Sequence, residues 1–142
     1  MYLVNRMSKY SIRFMPDYYS TSLWPESKSS YEEFESPISY EALNLSSDLI
    51  KDLKAFDNSL LNILDWTDPA APSPLGEEEG IQIYNEGQRL LKLVRQELGS
   101  DFEVIDCLEW IYPEKERMDK SVLCERDLMG VINRSLKDVQ EI

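Results

Sequence analysis

The sequence contains no histidine and only two cysteines among its 142 residues. Without histidine, the chain cannot build a Ser-His-Asp or Cys-His catalytic arrangement, a histidine-ligated metal site or a histidine pH switch. The cysteines, Cys107 and Cys124, show no CxxC spacing, and a structural zinc site needs about four ligands. We therefore expect no metal and no cofactor, and we expect both thiols to be reduced, as is usual in the cytosol.

Long apolar runs are also missing near the N-terminus. The longest there, residues 1–4, is interrupted by Asn5 and Arg6. This is too short for the apolar core of a signal peptide or for a membrane span. We therefore expect a cytoplasmic protein that does not contact a membrane.

Positive charge is scarce, since 15 Lys and Arg residues stand against 27 Asp and Glu residues for a net charge of −12. Nucleic-acid binding and anionic membranes call for a basic surface, so both are disfavoured as partners. Residues 26–86 alone hold 14 acidic side chains and only three lysines. Because opposite fields accelerate encounter, this concentration favours a basic protein partner.

The size and apolar content indicate a single folded domain. Hydrophobic residues make up 42% of the chain and aromatic residues 11%, enough for a core of its own at this length. We expect residues 1–142 to form one domain, with a flexible N-terminus (1–9), a core (10–112) and a C-terminal extension (113–142).

Alternating apolar residues predict a strand over residues 10–15, and apolar residues on both faces predict another over residues 101–112. Between them, residues 17–25 are expected to form a loop. Residues 26–44 are rich in Ser, Glu and Tyr, which indicates an extended surface crossing, either without regular structure or with a short strand or turn.

Two helices lie between these strands. The first begins after Ser46 or Ser47 as N-cap and ends near Trp66, with an apolar stripe at Leu49, Leu53, Phe56, Leu60 and Ile63. Its acidic residues Asp48, Asp52 and Asp57 are expected on a solvated face. The second runs from Glu77 to the cap residue Gly99. Gly87 lies on its apolar stripe, which predicts a close approach by the first helix or by an aromatic ring.

These elements predict an α+β fold with a strand-helix-helix-strand core. A small sheet is covered by a helix pair, and the helical crossover permits the two strands to be parallel. Leu128, Ile132, Leu136 and Val139 have the spacing of a C-terminal helix.

Aromatic and acidic residues interleave at several places in the acidic stretch. Tyr and Trp are favoured anchors at binding surfaces, and carboxylates would pair with a basic partner. The alternatives are solvated helix faces, a favourable helix dipole for Glu77–Glu79, and packing of Trp66 on the core. The candidate partner-binding residues are Tyr31, Glu32, Glu33, Glu35, Asp65, Trp66, Asp68, Glu77, Glu78 and Glu79.

The order of segments along this chain resembles that of a group of small acidic bacterial proteins. The segments are YSIRF, DYYSTSLW, a helix ending in LDW, a Pro/Gly loop and EEEGIQIYNEGQRLLKLVRQELGSDFEVI. The proteins of this group are similar to immunity proteins of polymorphic toxin systems, including contact-dependent growth inhibition. The resemblance covers Tyr10 to Ile105, and this chain has Tyr19 where a glycine is expected after Tyr18. The best-matched residues are Asp17, Leu23, Trp24, Asp65, Trp66, Asp68, Glu86, Gly87, Leu90, Leu98 and Gly99.

The resemblance implies an immunity protein without enzymatic activity. It would bind and neutralise a cognate basic toxin domain, such as a nuclease, by electrostatic and steric blocking. An acidic regulatory or adaptor module that binds an endogenous basic protein is the main alternative. A further alternative is an enzyme that uses only Asp and Glu side chains, with a divalent metal. A homodimer also stays open, because an exposed strand edge permits it.

Overall fold

The computed structural model describes residues 8–113 and shows an α+β fold. Three strands form one mixed sheet in the order β2-β1-β3. All three α-helices lie between β2 and β3 along the chain: a short one comes first, and the long predicted pair follows. The elements are β1 (Tyr10–Phe14), β2 (Leu23–Pro25), α1 (Lys28–Glu33), α2 (Ser47–Ser59), α3 (Glu77–Leu98) and β3 (Phe102–Asp106). Residues 1–7 of the predicted flexible N-terminus (1–9) and the predicted C-terminal helix lie outside the described residues.

The two predicted strands are parallel neighbours. β1 pairs with β3 in a register that runs from Tyr10 opposite Phe102 to Phe14 opposite Asp106. The long crossover through α2 and α3 makes this parallel pairing possible. The predicted α+β fold with a helix pair against a small sheet is therefore confirmed.

The expectation of a loop over residues 17–25 was wrong at its end, because Leu23–Pro25 forms β2, antiparallel to β1. Leu23 is fully buried, and Trp24 lies opposite Arg13 in the register of the two strands. Three residues are too few to show a period of two in the sequence. Pairing with β1, a tertiary contact, decides their conformation.

Residues 26–44 fold back into the protein and do not form an extended surface crossing. Ser27 caps α1 by accepting a hydrogen bond from the backbone N–H of Ser30, and a 3-10 turn follows at Tyr40–Ala42. Ile38 and Tyr40 are buried, so this segment supplies part of the core.

The first long helix is shorter than its apolar stripe suggested. Ser46 is the N-cap, since its hydroxyl accepts a hydrogen bond from Leu49 N–H. The α-helix ends at Ser59, and a 3-10 turn at Leu60–Asn62 follows, so the predicted end near Trp66 was wrong. The Ser59 hydroxyl donates to the carbonyl of Phe56 at 2.6 Å, and such local bonds compete with regular helix.

The main core lies between α2, α3 and one face of the sheet. An added Cβ at Gly87 would stand 3.0 Å from Phe56 Cζ of α2 and 3.0 Å from Leu108 Cδ2. The predicted close approach at Gly87 is therefore confirmed. The largest fully buried core residues are Tyr40, Phe14, Ile12, Leu23, Ile38, Leu53, Leu60, Leu90, Leu91, Leu108 and Val94.

The second predicted strand ends early, at Asp106. Asp106 Oδ1 accepts a hydrogen bond from Leu108 N–H at 3.0 Å, which turns the chain, and a 3-10 turn at Glu109–Ile111 follows. Gly99 closes α3 with a φ of 72°. Arg95 donates two hydrogen bonds to the Val104 carbonyl, at 3.1 and 2.6 Å, and thereby fastens α3 to β3.

Cys107 lies on the opposite face of the sheet, in a small cluster with Ile105 and Met15. It is fully buried and disulfide-bonded, so the expectation of a reduced thiol at Cys107 was wrong. Among residues 8–113, no helix has the length and apolar character needed to span a bilayer.

Candidate protein-binding surface

The first group of candidate residues lies at the end of α1. Tyr31, Glu32, Glu33 and Glu35, here called the α1 acidic segment, are all exposed. Phe34 anchors them, since its ring packs 5.2 Å from the ring of Tyr10 and 6.0 Å from that of Phe102. Tyr10 and Phe102 are the first residues of β1 and β3, so this segment lies where the parallel strands begin.

The second group lies at the opposite end of the sheet. The Trp66 ring stands 5.3 Å from the ring of Tyr18 and 5.3 Å from that of Tyr19. Both tyrosines follow the end of β1 in sequence, and a five-residue strand is roughly 13 Å long. The structure therefore separates Asp65, Trp66 and Asp68 from the α1 acidic segment.

Glu77, Glu78 and Glu79 lie at the same end as Trp66. α3 runs antiparallel to β3, and its middle lies at the end of that strand, where Gln88 donates to Asp106 at 3.0 Å. A recess of about 100 Å³ is lined by Ile63, which is close in sequence to Asp65 and Trp66, and by Gly80, which follows Glu79. We call Tyr18, Tyr19, Asp65, Trp66, Asp68 and Glu77–Glu79 the sheet-end surface.

Trp66 is exposed within this surface. The residue is 46% exposed, and its Nε1–H donates to the Leu61 carbonyl at 2.8 Å. Tyr18 also packs edge-on against Trp110, at 5.8 Å between ring centroids. Trp66 therefore packs against other aromatic rings outside the buried core, and part of its indole is accessible to a partner.

Asp65 has a local structural task. Its Oδ1 accepts hydrogen bonds from Thr67 N–H at 3.0 Å and from Thr67 Oγ1 at 2.6 Å, with a longer one from Asp68 N–H. These bonds, led by the Thr67 hydroxyl, lower the pKa of the Asp65 carboxyl. Asp65 is thus held ionised in the turn that positions Trp66.

Glu77, Glu78 and Glu79 form the first turn of α3 and are exposed. The N-cap is Gly76, which has no side chain to accept a hydrogen bond there. The partial positive charge of the helix end favours these carboxylates. The dipole therefore explains why they lie there, and their exposure leaves them available to a basic partner.

Tyr19 is a site residue that the sequence reasoning did not include. It has a left-handed φ of 60° and is 77% exposed. Such a backbone costs a non-glycine residue roughly 1–2 kcal/mol. The signal was present, because Tyr19 stands where the resemblance places a glycine.

Asp57 is the second such residue, and its expected place on a solvated face was wrong. Ser22 Oγ donates to its Oδ1 and the Tyr40 hydroxyl donates to its Oδ2, both at 2.5 Å. Burial raises the pKa of Asp57 to about 6, although these two hydrogen bonds act in the opposite direction. Its helical position alone gave no sign of this, since the burial comes from Ser22 and Tyr40.

Within residues 8–113, no group of three His, Cys, Asp or Glu side chains is placed to hold a metal ion.

The fold and surface together define a small acidic α+β protein that exposes aromatic rings at one end of its sheet. The chain belongs to the Serratia CdiI immunity protein-like family, whose model matches residues 10–107. It is thus an immunity protein of the contact-dependent growth inhibition class, and the resemblance found in the sequence is confirmed. No curated protein matches the chain.

Proposed function

We propose that this chain neutralises a cognate basic toxin domain, a nuclease, in the cytoplasm. Membership of an immunity protein family implies a toxin as partner. The observation that carries the proposal is the exposed Trp66 and Tyr19 pair set among carboxylates. The described residues carry 20 acidic and only eight basic side chains, so a basic partner is the electrostatic complement.

The mechanism is electrostatic and steric blocking. A nuclease binds the phosphates of its substrate with Lys and Arg side chains. Carboxylates of the immunity protein pair with those cations, and its body covers the cleft that the nucleic acid would enter. The long-range field accelerates association, and desolvated aromatic anchors slow dissociation.

We assign the contact to the sheet-end surface in preference to the α1 acidic segment. The sheet-end surface combines two mutually packed exposed rings, Tyr19 and Trp66, with five carboxylates. The α1 acidic segment offers one exposed ring, Tyr31, and three carboxylates. Clustered aromatic residues are enriched among the residues that carry most of the energy of an interface.

Two charge-matched variants test this assignment. One replaces Glu77, Glu78 and Glu79 with Lys, and the control replaces Glu32, Glu33 and Glu35 with Lys. Binding is measured by stopped-flow with the domain encoded by the reading frame directly upstream, which we propose as the cognate toxin domain. We expect the first variant to lower the association rate about tenfold or more in about 50 mM salt and little in about 500 mM salt.

The association rate of the control variant should fall clearly less in about 50 mM salt. An equal loss in both variants would indicate a general field effect and would reject the sheet-end surface as the contact. A wild-type protein that neither binds the upstream domain nor stops it from degrading RNA or DNA would reject the proposed function itself.

A further inference from the structure

A cleft of about 370 Å³ lies beside the sheet-end surface, between the turn after β1 and the outer side of α2. Tyr19 belongs to both features, because its ring packs on Trp66 and the residue also lines the cleft. A partner that covers the sheet-end surface therefore also covers the mouth of this cleft. The lining residues used below are Tyr19, Glu41, Lys54, Asp57 and Asn58.

Asp57 forms the acidic part of the cleft wall. Each of its carboxylate oxygens accepts one hydrogen bond, from Ser22 and from Tyr40 respectively. An ionised carboxylate offers about four acceptor positions, so about two of them are left. Two acceptor positions on one carboxylate match the paired N–H donors of a guanidinium group.

Tyr19 gives the cleft an aromatic wall. The side chain is 77% exposed and is held out by a left-handed backbone, a conformation that ordinarily persists where it serves a function. A guanidinium stacks on an aromatic face more readily than a strongly hydrated ammonium does. The combination of carboxylate and exposed ring therefore favours arginine over lysine.

The rim adds a further negative group. Glu41 pairs with Lys54 at 2.7 Å, and both side chains are 59% exposed. An exposed pair of this kind contributes little stability. Lys54 is therefore free to swing away, and Glu41 then faces an incoming cation.

We propose that this cleft receives one arginine side chain of the toxin, with its guanidinium paired to Asp57 and stacked on Tyr19. This inference rests on the proposed function and names the partner's anchoring group. It also accounts for a partly buried carboxylate that forms no ion pair within residues 8–113, since Lys54 of the same cleft pairs with Glu41. The bound arginine would provide that charge.

Three variants of the full chain test the cleft. Asp57→Asn removes the charge and keeps the shape, and Asn58→Trp fills the cleft from an exposed position without touching the Asp57 network. Asn62→Trp makes the same substitution at an exposed residue that does not line the cleft. The dissociation constant with the upstream toxin domain is measured for each by calorimetry.

We expect Asp57→Asn and Asn58→Trp to weaken binding about 30-fold or more, as for loss of one partner of a buried charge pair. Asn62→Trp should stay within about threefold of wild type. If wild type binds and the two cleft variants also stay within that range, the cleft inference is wrong while the proposed function stands. If Asp57→Asn does not fold, the Asn58→Trp result decides.

A second measurement is independent of the toxin. Amide NMR shifts of the free protein are followed while N-acetyl-arginine amide is added, with the neutral citrulline analogue as control. We expect arginine alone to shift the amides of Tyr19, Thr21 and Asn58, and the Asn58→Trp variant to abolish those shifts. Equal shifts with citrulline, or none with arginine, would overturn the inference even if the toxin fails to bind.

Discussion

The hydroxyl of Tyr40 donates a 2.5 Å hydrogen bond to Oδ2 of Asp57 and accepts one from the backbone N–H of Ser22 at 2.8 Å. Tyr40 is 1% exposed, and its burial, together with the Asp57 charge, raises the pKa of its hydroxyl well above the ordinary value. Three segments far apart in sequence are thus joined at one carboxylate. The charge on Asp57 is therefore linked to the stability of the fold.

Asp57 should make stability depend on pH in an unusual direction. Its pKa is about 6 in the folded state against 3.8 as the ordinary value, so the folded protein holds this proton more tightly. The contribution is fully present below about pH 4 and is lost as pH rises through about 6. The free energy of unfolding of wild type minus that of Asp57→Asn should fall by up to about 3 kcal/mol over this window. Urea unfolding of both proteins at several pH values measures this difference. A difference that stays constant over this pH range would contradict the prediction.

Ser46 and Ser47 provide a matched pair for helix capping. The Ser46 hydroxyl accepts from Leu49 N–H at 3.2 Å and donates to Glu97 at 2.9 Å. Ser46→Ala should therefore lower the free energy of unfolding by about 1 kcal/mol. Ser47→Ala, one residue further on an exposed first turn, should change it by less than about 0.5 kcal/mol. Denaturant titration of both compares them, and equal effects would argue against the Ser46 cap.

Gly87 should resist the substitution that ordinarily favours a helix. Alanine gains about 1 kcal/mol of helix propensity over glycine. Here, however, its Cβ would stand 3.0 Å from both Phe56 and Leu108, and overpacking costs about 1–3 kcal/mol. We expect Gly87→Ala to lower the melting temperature and Asn85→Ala, at an exposed position of α3, to leave it unchanged or raise it. A stabilised Gly87→Ala protein would show that Phe56 moves aside freely.

Tyr19 should be a place where stability is given up for binding. Tyr19→Gly and Tyr19→Ala both remove the ring, but only glycine adopts a φ of 60° without strain. The glycine variant should therefore be more stable than the alanine variant by about 1 kcal/mol. Both variants should bind the toxin domain more weakly than wild type. Thermal unfolding and calorimetry separate the two effects, and an alanine variant as stable as the glycine variant would contradict the strain.

The fold was largely predictable, because α2 and α3 carry apolar stripes long enough to identify and β1 alternates clearly. The missed elements were short. β2 has three residues and α1 has six, and segments of this length depend on tertiary pairing more than on propensity. β3 was overextended to Tyr112 because the apolar residues continue after the turn at Asp106.

The candidate surface was predictable only in part. Residue types indicated which side chains suit a basic partner, and every candidate except the half-buried Asp65 is exposed. Their distribution over two ends of the sheet was not visible, because it depends on the direction in which α1 and α3 run against the strands. Asp57 was missed because its partners, Ser22 and Tyr40, are distant from it in the sequence.

The amino-acid sequence by itself determined the acidity, the absence of histidine chemistry, the two long helices and the family resemblance, since these follow from composition and local periodicity. Only the tertiary structure decided which carboxylates share a surface with Trp66, which carboxylate is buried against Tyr40, and that Tyr19 stands in a strained backbone. Those properties arise from contacts between segments distant in the chain, and local sequence patterns do not encode such contacts.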